Sequence, residues 1–360
     1  IGQTECEYSS DAGMFYQMYW SEGENVSSVS RSRNHNILKH CFPEKIQDKY
    51  VIELGVGGEG GIISEIKKNN KVFGIDVSES AIKNCEKLGV KVVQLNLDNE
   101  PLPFCDRSID IVFGLEVFEH FASPQFVLEE VRRVLKDDGI LLLTTPNPRI
   151  HHWPRLFYPG LYEREAFREF LLINKFDIIE EANIGNNAYS RWPHTTSDGA
   201  WSWIWHCRKI SSGEGNTLFK HGQYFWNQKS DARVRKRPIE AIDMFRDAYK
   251  EDNELLEAKL MLTWALVYRL INGESKEFFK NVAFMSDCAK RSQSRVSLQA
   301  LCYLLLTHLE LKKHGKDLLR VDEFNKTLKE VDRRPEVENL VGMIKQEMRE
   351  VNCLLSDRQT

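Results

Sequence analysis

The chain has 360 residues, is 42% hydrophobic and carries a formal net charge of −4. That size and apolar content support a large buried core shared between about two domains, and the slight acidity provides no overall attraction to a phosphate backbone. No apolar run reaches the ~18 residues that a membrane span requires, so no membrane insertion is expected. Eight cysteines are scattered without a C-x-x-C pair. This pattern reads as a reduced compartment, neither a disulfide framework nor a zinc site, and the expected location is cytoplasmic. The chain opens on Ile1 rather than Met, the expectation for a fragment or a trimmed form in which a targeting peptide would not be visible.

In chain order, Met14 to Trp20 and Ser30 to Cys41 read as helices, giving N-terminal cap helices over residues 1–48. They either close over a ligand or cover a sheet edge. The apolar run Tyr50 to Leu54 reads as a buried strand and Ile62 to Lys68 as the helix after it. The alternation continues with strand Lys71 to Ile75, helix Glu79 to Lys87, strand Lys91 to Leu95, strand Ile109 to Phe113, helix Pro124 to Leu135 and strand Ile140 to Thr144. Helix Glu163 to Leu171 and strands Phe176 to Glu181 and Trp203 to Lys209 complete a domain over residues 49–210. Such alternation predicts an α/β, doubly wound fold: a parallel sheet with helices on both faces and a ligand crevice at the carboxyl ends of its strands. Asn183 to Ala200 is expected to be a loop facing substrate.

After residue 210 the character changes. Ser211 to Asn216 is small and polar and Lys229 to Arg237 is basic, so 211–237 reads as a linker. From 238 to 360 the pattern is helical, with apolar stripes at Ala241, Phe245, Ala248 and Tyr249 and at Ala258, Leu262, Ala265 and Leu266. Further helices are expected at Glu277 to Lys290, Arg295 to Lys312, Leu318 to Val331 and Glu336 to Leu354. An all-α, helical-hairpin (solenoid-like) domain follows. Residues 241–268 resemble the junction between tetratricopeptide repeats, although no ~34-residue period recurs. Such a domain serves either as a protein-binding or homo-oligomerisation module or as a buttress for the domain before it.

Function is concentrated in VIELGVGGEGG (Val51 to Gly61) and VFGIDVS (Val72 to Ser78). Gly55, Gly57 and Gly60 satisfy G-x-G-x-x-G, which marks a dinucleotide site or simply a tight strand-to-helix turn. Asp76 ends the second strand, where a carboxylate can accept both hydroxyls of a ribose. Glu53, inside the same pocket, would repel a pyrophosphate but suits a ligand carrying an ammonium and a sulfonium. Asn96-Leu97, PLPF (Pro101 to Phe104), IDIVFG (Ile109 to Gly114), LEVFEH (Leu115 to His120) and VLKDDGILLLTTPN (Val134 to Asn147) follow in order.

With these motifs the chain resembles, from Tyr50 to Lys209, the Rossmann-like class I S-adenosylmethionine-dependent methyltransferases. The resemblance implies that Glu53, Gly55, Gly57 and Gly58 form the glycine-rich loop, although the family's third glycine falls at Glu59. It further implies that Asp76 and Val77 meet the ribose, that Asn96 and Leu97 border the adenine, that Leu115 and Glu116 border the cofactor, and that the leading helices close over it.

The methyl group of such a cofactor is already activated, so the protein mainly aligns a nucleophile and, for oxygen, removes a proton. His120, at the carboxyl edge, is the candidate general base, or else a hydrogen-bonding residue that shapes the pocket. Glu116, Glu119 and His120 form E-x-x-E-H, which resembles the metal motif of small-RNA 3′-terminal 2′-O-methyltransferases and that of the ubiquinone-pathway O-methyltransferases. The trio could hold a divalent ion with His151 or His152, but the reading of Glu116 as bordering the cofactor is preferred.

His151, His152, Trp153 and Arg155, then Tyr189, Arg191, Trp192, His194 and Trp201, gather in two segments expected to rim the acceptor crevice. Aromatic faces with imidazole and cationic donors suit a polar ring such as a sugar, an aromatic acid or a base. Trp203 and Trp205 read as ordinary packing. The expected function is O-methylation of a polar small molecule or glycan. The alternatives are an RNA 2′-O-methyltransferase, motivated by E-x-x-E-H and the basic run, and a cofactor-binding scaffold acting through its helical domain. Nucleic acid is the less favoured partner, given the acidic net charge.

Overall fold

The computed structural model describes residues 28–148, 159–185, 188–191, 201–227 and 238–266. The chain divides into two compact units, Ile1–Ser211 and Ser212–Thr360.

The first unit begins with α1 (Ser28–Cys41) and continues through β1 (Tyr50–Leu54), the short α2 (Ile63–Ile66), β2 (Lys71–Asp76), α3 (Glu79–Lys87), β3 (Val92–Gln94) and β4 (Ile109–Leu115). It ends with α4 (Pro124–Val134), β5 (Leu135–Pro146), α5 (Arg164–Ile173), β6 (Phe176–Gly185), β7 (Ala188–Arg191) and β8 (Ser202–Lys209). The strands form one sheet in the order β3-β2-β1-β4-β5-β8-β6-β7. β1 lies parallel to both β2 and β4, so the strand order reverses direction beside it. In open α/β sheets that switch point is where a crevice opens at the carboxyl ends of the strands.

Local chemistry explains several of these elements. Ser78 caps α3, its hydroxyl accepting from the Ala81 N–H at 3.3 Å, and the helix begins at Glu79 as the pattern predicts. Pro124 occupies the first turn of α4, where its missing N–H costs nothing. Side chains alternate across β1, so Ile52 and Leu54 pack with Val127, Leu128 and Val131 of α4 and Phe167 and Leu171 of α5. On the other face, Val51 packs with Ile37 and Cys41 of α1, Ile63 of α2 and Cys85 of α3. Each fully buried aliphatic side chain contributes about 1.5–3 kcal/mol, so both faces hold the sheet.

The sheet, expected to be parallel, is mixed. β8 runs antiparallel to β5, β6 antiparallel to β8, and β7 antiparallel to β6. Apolar patterning reveals that a strand exists but carries no sign of its direction. The expected loop Asn183 to Ala200 is also corrected, because β6 runs on to Gly185 and pairs with β7 in a hairpin. β5 starts at Leu135 rather than Ile140, since an irregularity on β4 lets Ile109 pair with Leu135.

In the second unit, α6 (Gly215–Asn227), α7 (Pro238–Glu251) and α8 (Leu256–Ala265) follow one another. α6 therefore occupies part of the expected linker 211–237. A Cβ at Gly222 would stand 2.5 Å from a ring carbon of Phe245, so the glycine permits a close approach of α6 to α7. Ala241, Phe245 and Ala248 are buried and Tyr249 is half-buried, while Ala258, Leu262, Ala265 and Leu266 are all buried, which places the second expected stripe and three of the four residues of the first in a core. The helices expected at 14–20 and beyond 277, and the basic run 229–237, lie outside the described residues. No helix among the described residues is long and apolar enough to cross a membrane.

Candidate functional site

The carboxyl ends of β1, β2 and β4 meet around the glycine loop. Gly55 and Gly57 have φ of +62° and +63°, the left-handed region that glycine enters without steric cost. The amides of Gly55 and Val56 donate to the Ile75 carbonyl at 2.8 and 3.1 Å, folding the loop onto β2. A Cβ at Gly55 would lie 2.4 Å from Cγ2 of Val117, so the loop after β4 rests directly on this backbone. Gly58 does not share the left-handed conformation, whereas Gly60 and Gly61 do.

Asp76 is buried, and its carboxylate accepts from the Gly57 N–H and the Ser78 N–H, each at 2.9 Å. Burial pushes its carboxyl above the ordinary aspartate value, while these backbone donors hold it down. The acid thus organises the loop, and each oxygen keeps acceptor capacity for a further donor. Val77 follows, its carbonyl accepting from the Gln94 side chain at 3.3 Å. The Cys85 thiol donates to the Gly57 carbonyl at 2.9 Å, and burial raises it to about 11.

Glu53 is 3% exposed and accepts from the Ile63 N–H at 3.2 Å at the start of α2. Its carboxylate fills the space that a side chain on Gly61 would need, with Oε2 2.0 Å from an ideal Cβ there. Burial pushes this carboxyl up to about 8, against the lowering effects of the Ile63 and Ile62 amides and of Arg33. Its first task is therefore to fasten the glycine loop from beneath.

Asn96 uses its side-chain oxygen to accept from the Asp98 N–H at 3.1 Å, while Leu97 is buried in the core. Asp98 in turn accepts from the Ser123 N–H at 2.9 Å, tying this segment to the start of α4. Leu115 ends β4, buried beside Thr144. Glu116 then adopts φ +55°, held by its N–H donating to the Thr144 carbonyl and to the Thr144 hydroxyl, at 3.1 and 3.0 Å. A non-glycine residue in this region costs about 1–3 kcal/mol. Its Oε1 is buried without a hydrogen-bond partner.

Glu119 and His120 sit on a single 3₁₀ turn, Phe118–His120. Glu119 is 2% exposed with Oε2 unpartnered, and burial, then the charge of Glu116, hold its carboxyl well above the usual carboxylate range. His120 is half-buried, its Nε2 3.7 Å from Glu119 Oε1. Among the described residues no group of three or more His, Cys, Asp or Glu side chains is placed to hold a metal, and His151 and His152, the further ligands expected for the E-x-x-E-H trio, lie outside them.

The expected acceptor residues His151, His152, Trp153, Arg155, Trp192 and His194 lie outside the described residues, as do the side chains of Tyr189 and Arg191. Two buried groups were not foreseen. Arg33 of α1 and Trp203 of β8 have Nε and Nε1, respectively, buried without partners. Buried polar atoms are normally satisfied, and an unspoken-for donor or acceptor beside a crevice is a signal that only three-dimensional structure supplies. The open hollow lined by Gln47, Lys49, Tyr50 and Lys71 is at the opposite, amino end of β1 and β2, away from all these groups.

Residues 52–143 match the family described as a methyltransferase domain. Over 117 residues the chain is 30% identical to a probable S-adenosylmethionine-dependent methyltransferase of Mycobacterium tuberculosis, covering 32% of this chain and 42% of that one. A fatty-acid O-methyltransferase of Mycolicibacterium smegmatis is 30% identical over 143 residues, covering 38% of this chain and 50% of that protein. The 27-O-demethylrifamycin SV methyltransferase of Amycolatopsis mediterranei is 27% identical over 132 residues, covering 35% and 48%. The chain thus spans about half, or less, of the length of these relatives. A solved methyltransferase from Aquifex aeolicus aligns with 18% identity and a TM-score of 0.41, covering 53% of this chain and 97% of that structure.

Proposed function

We propose that this chain is an S-adenosylmethionine-dependent methyltransferase acting on oxygen of a polar small molecule or glycan. The observation that carries the reading is the junction of Gly55, Gly57, Asp76 and Glu116 at the switch point of the sheet within the matched domain. The fit is chemical as well as topological. Backbone there is bare of side chains, a buried carboxylate retains acceptor capacity, and Glu116 Oε1 is unpartnered. Asp76 would take the ribose hydroxyls, Val77, Asn96 and Leu97 would border the base, and Glu53 with Gly55, Gly57 and Gly58 would hold the amino-acid end. Leu115 and Glu116 would close the near side.

The cofactor supplies a methyl group already activated by the positive sulfur. The remaining work belongs to the chain: aligning the acceptor oxygen, excluding water and taking up a proton. His120 is the proposed proton acceptor. The fatty-acid relative is an O-methyltransferase by name, and the other is named for a 27-O-demethylrifamycin substrate, which supports an oxygen acceptor without fixing its class. We further propose that residues 238–360 form a module for binding a protein partner or a second copy of this chain.

Mass spectrometry of the purified protein for co-purified S-adenosylmethionine or S-adenosylhomocysteine tests the cofactor. Methyl transfer from labelled cofactor to pools of small molecules, glycans, fatty acids and RNA tests the acceptor. A protein that binds neither nucleoside and labels no pool would overturn the enzymatic reading; labelling confined to RNA would overturn the small-molecule one.

A further inference from the structure

At the amino ends of β1 and β2, opposite the glycine loop, a hollow of about 660 Å³ opens between residues 47–50 and 68–71. Its two walls are tied together by backbone. The Asp48 N–H donates to the Asn69 carbonyl at 2.8 Å, and the Lys71 N–H donates to the Lys49 carbonyl at 2.9 Å. Asn70 spans both segments: its side-chain oxygen accepts from the Lys49 N–H at 3.0 Å, and its amide nitrogen donates to the Ile46 and Ile66 carbonyls, each at 2.9 Å. Asp48 adopts φ +54° where the chain turns into β1, a conformation that persists only when the surroundings impose it. The concavity is therefore preformed.

Its charge is unbalanced. Lys49, Lys68 and Lys71 line the hollow against Asp48, and Lys136 reaches over it to within 5.9 Å of the Tyr50 ring centre. Asp110, the nearest other acid, is already spent: it holds Lys136 at 2.8 Å, Lys49 at 3.7 Å and the Tyr50 N–H at 2.9 Å. Lys71 donates to the Tyr50 hydroxyl at 2.7 Å and lies 4.6 Å from the ring centre. Among the described residues no acid pairs with Lys71, and none pairs with the exposed Lys68. Lysines on a convex surface are simply solvated, but within a concavity like charges add and draw in a counter-ion. They do so here on a chain whose net charge is −4.

We propose that this hollow is a second ligand site, which takes the phosphate ester of a nucleoside or sugar. Ammonium groups are point charges with three donors each, suited to a phosphoryl group, and no guanidinium fork lines the walls to select a planar carboxylate. The side-chain amides of Gln47 and Asn69, with no partner among the described residues, offer donors and acceptors to hydroxyls or to the edge of a ring. Tyr50 is 39% exposed and is the single aromatic among the lining residues, so the walls are too polar for an acyl chain. The volume is that of sites for nucleotide-sized ligands. Tyr50 and Lys71 begin the strands that end at Leu54 and Asp76, so this site is separate from the crevice and its occupancy does not depend on the cofactor reading.

The test is calorimetric titration of the full chain with uridine diphosphate, a probe without adenine, beside uridine and inorganic pyrophosphate as its two halves. The diphosphate ester is expected to bind about tenfold more tightly than either half, since each lacks one set of hydrogen bonds. Lys68→Gln and Lys71→Gln should each weaken it about tenfold, the loss of a charge-assisted contact. Lys68→Gln removes an exposed and unpaired group, so its melting temperature should match that of the parent. A footprint on the unaltered chain locates the ligand without any variant: uridine diphosphate should protect Lys68 and Lys71 from an amine-acylating reagent and leave Lys220 reactive. Absence of binding at millimolar ligand, binding unchanged in Lys68→Gln, or binding that leaves Lys68 and Lys71 fully reactive would overturn the proposal. Pyrophosphate as tight as the ester would overturn the nucleoside or sugar part of it, and an oligouridylate binding more than about 100-fold tighter than uridine diphosphate would reassign the hollow to an RNA strand.

Discussion

The Gly57 amide donates to the Asp76 carboxylate at 2.9 Å, so the acid at the end of β2 holds the glycine loop in shape. The same carboxylate accepts from Ser78, and the α3 N-terminus is thereby set as well. Replacing Asp76 by Ala leaves two buried N–H groups unsatisfied, at a cost of about 1–3 kcal/mol each. Asp76→Ala is expected to lower the melting temperature and to weaken S-adenosylhomocysteine by roughly 30-fold or more. Asp76→Asn, which keeps one acceptor oxygen, should lose less stability. Calorimetry and thermal melts measure both, and an unchanged dissociation constant would remove Asp76 from the ribose site.

Gly55 meets two constraints that can be separated. Its φ of +62° penalises any side chain, and its Cβ position is 2.4 Å from Val117 Cγ2. Gly55→Ala is expected to cost about 2 kcal/mol or more, from backbone strain together with overpacking. Adding Val117→Ala should recover the steric part and leave the backbone part. Chemical denaturation of the single and double variants reads the difference; no recovery at all would mean that the contact with Val117 is easily relieved.

Glu53 makes stability depend on pH. Its carboxyl is raised from the ordinary 4.5 to about 8 by burial, so between these values the unfolded chain has released a proton that the folded chain still holds. Stability contributed by this group is therefore greatest below about pH 4.5, falls as pH rises through the window, and levels off above about pH 8. Glu53→Gln, neutral at every pH and still able to accept from Ile63, should flatten that part of the profile. Denaturation midpoints at pH 6 and pH 9 should differ less in the variant than in the parent; equal differences would show that Glu53 is ionised throughout.

His120→Ala should reduce turnover by roughly 10²-fold with little change in S-adenosylhomocysteine affinity, as follows when a proton acceptor is removed. Single-turnover kinetics with the acceptor found in the pool screen is the measurement. Near-parental turnover would assign the proton to another group or to an acceptor already ionised.

A fragment ending at Ser211 coincides with the division between the two units. It is expected to fold and to bind S-adenosylhomocysteine with parental affinity, while losing self-association or partner capture if residues 238–360 perform that task. Light scattering and calorimetry of both forms decide; an insoluble or ligand-blind fragment would show that the helical region completes the catalytic domain.

Much of the site was legible because its signals are local. α3 begins at Glu79 as expected, since Ser78 supplies the cap within its own turn. Gly55, Gly57 and Asp76 were recognisable from the strand-loop-helix pattern and converge in space. α6 escaped notice because Ser211 to Asn216 and the basic run after it read as a linker, and Gly222 makes sense only once Phe245 stands against it. β7 was hidden within a segment whose polarity resembled a loop.

The sequence alone determined the alternation of strands and helices, the glycine loop and the acid facing it, because periodicity and turn chemistry operate over a few neighbouring residues. Tertiary structure decided the antiparallel placement of β6, β7 and β8 and the use of Glu53 as a fastening beneath the loop. It also brought Arg33 within electrostatic reach of Glu53 and Glu119. These outcomes depend on burial and on partners far apart in the chain, and neither is encoded in the spacing of any one motif.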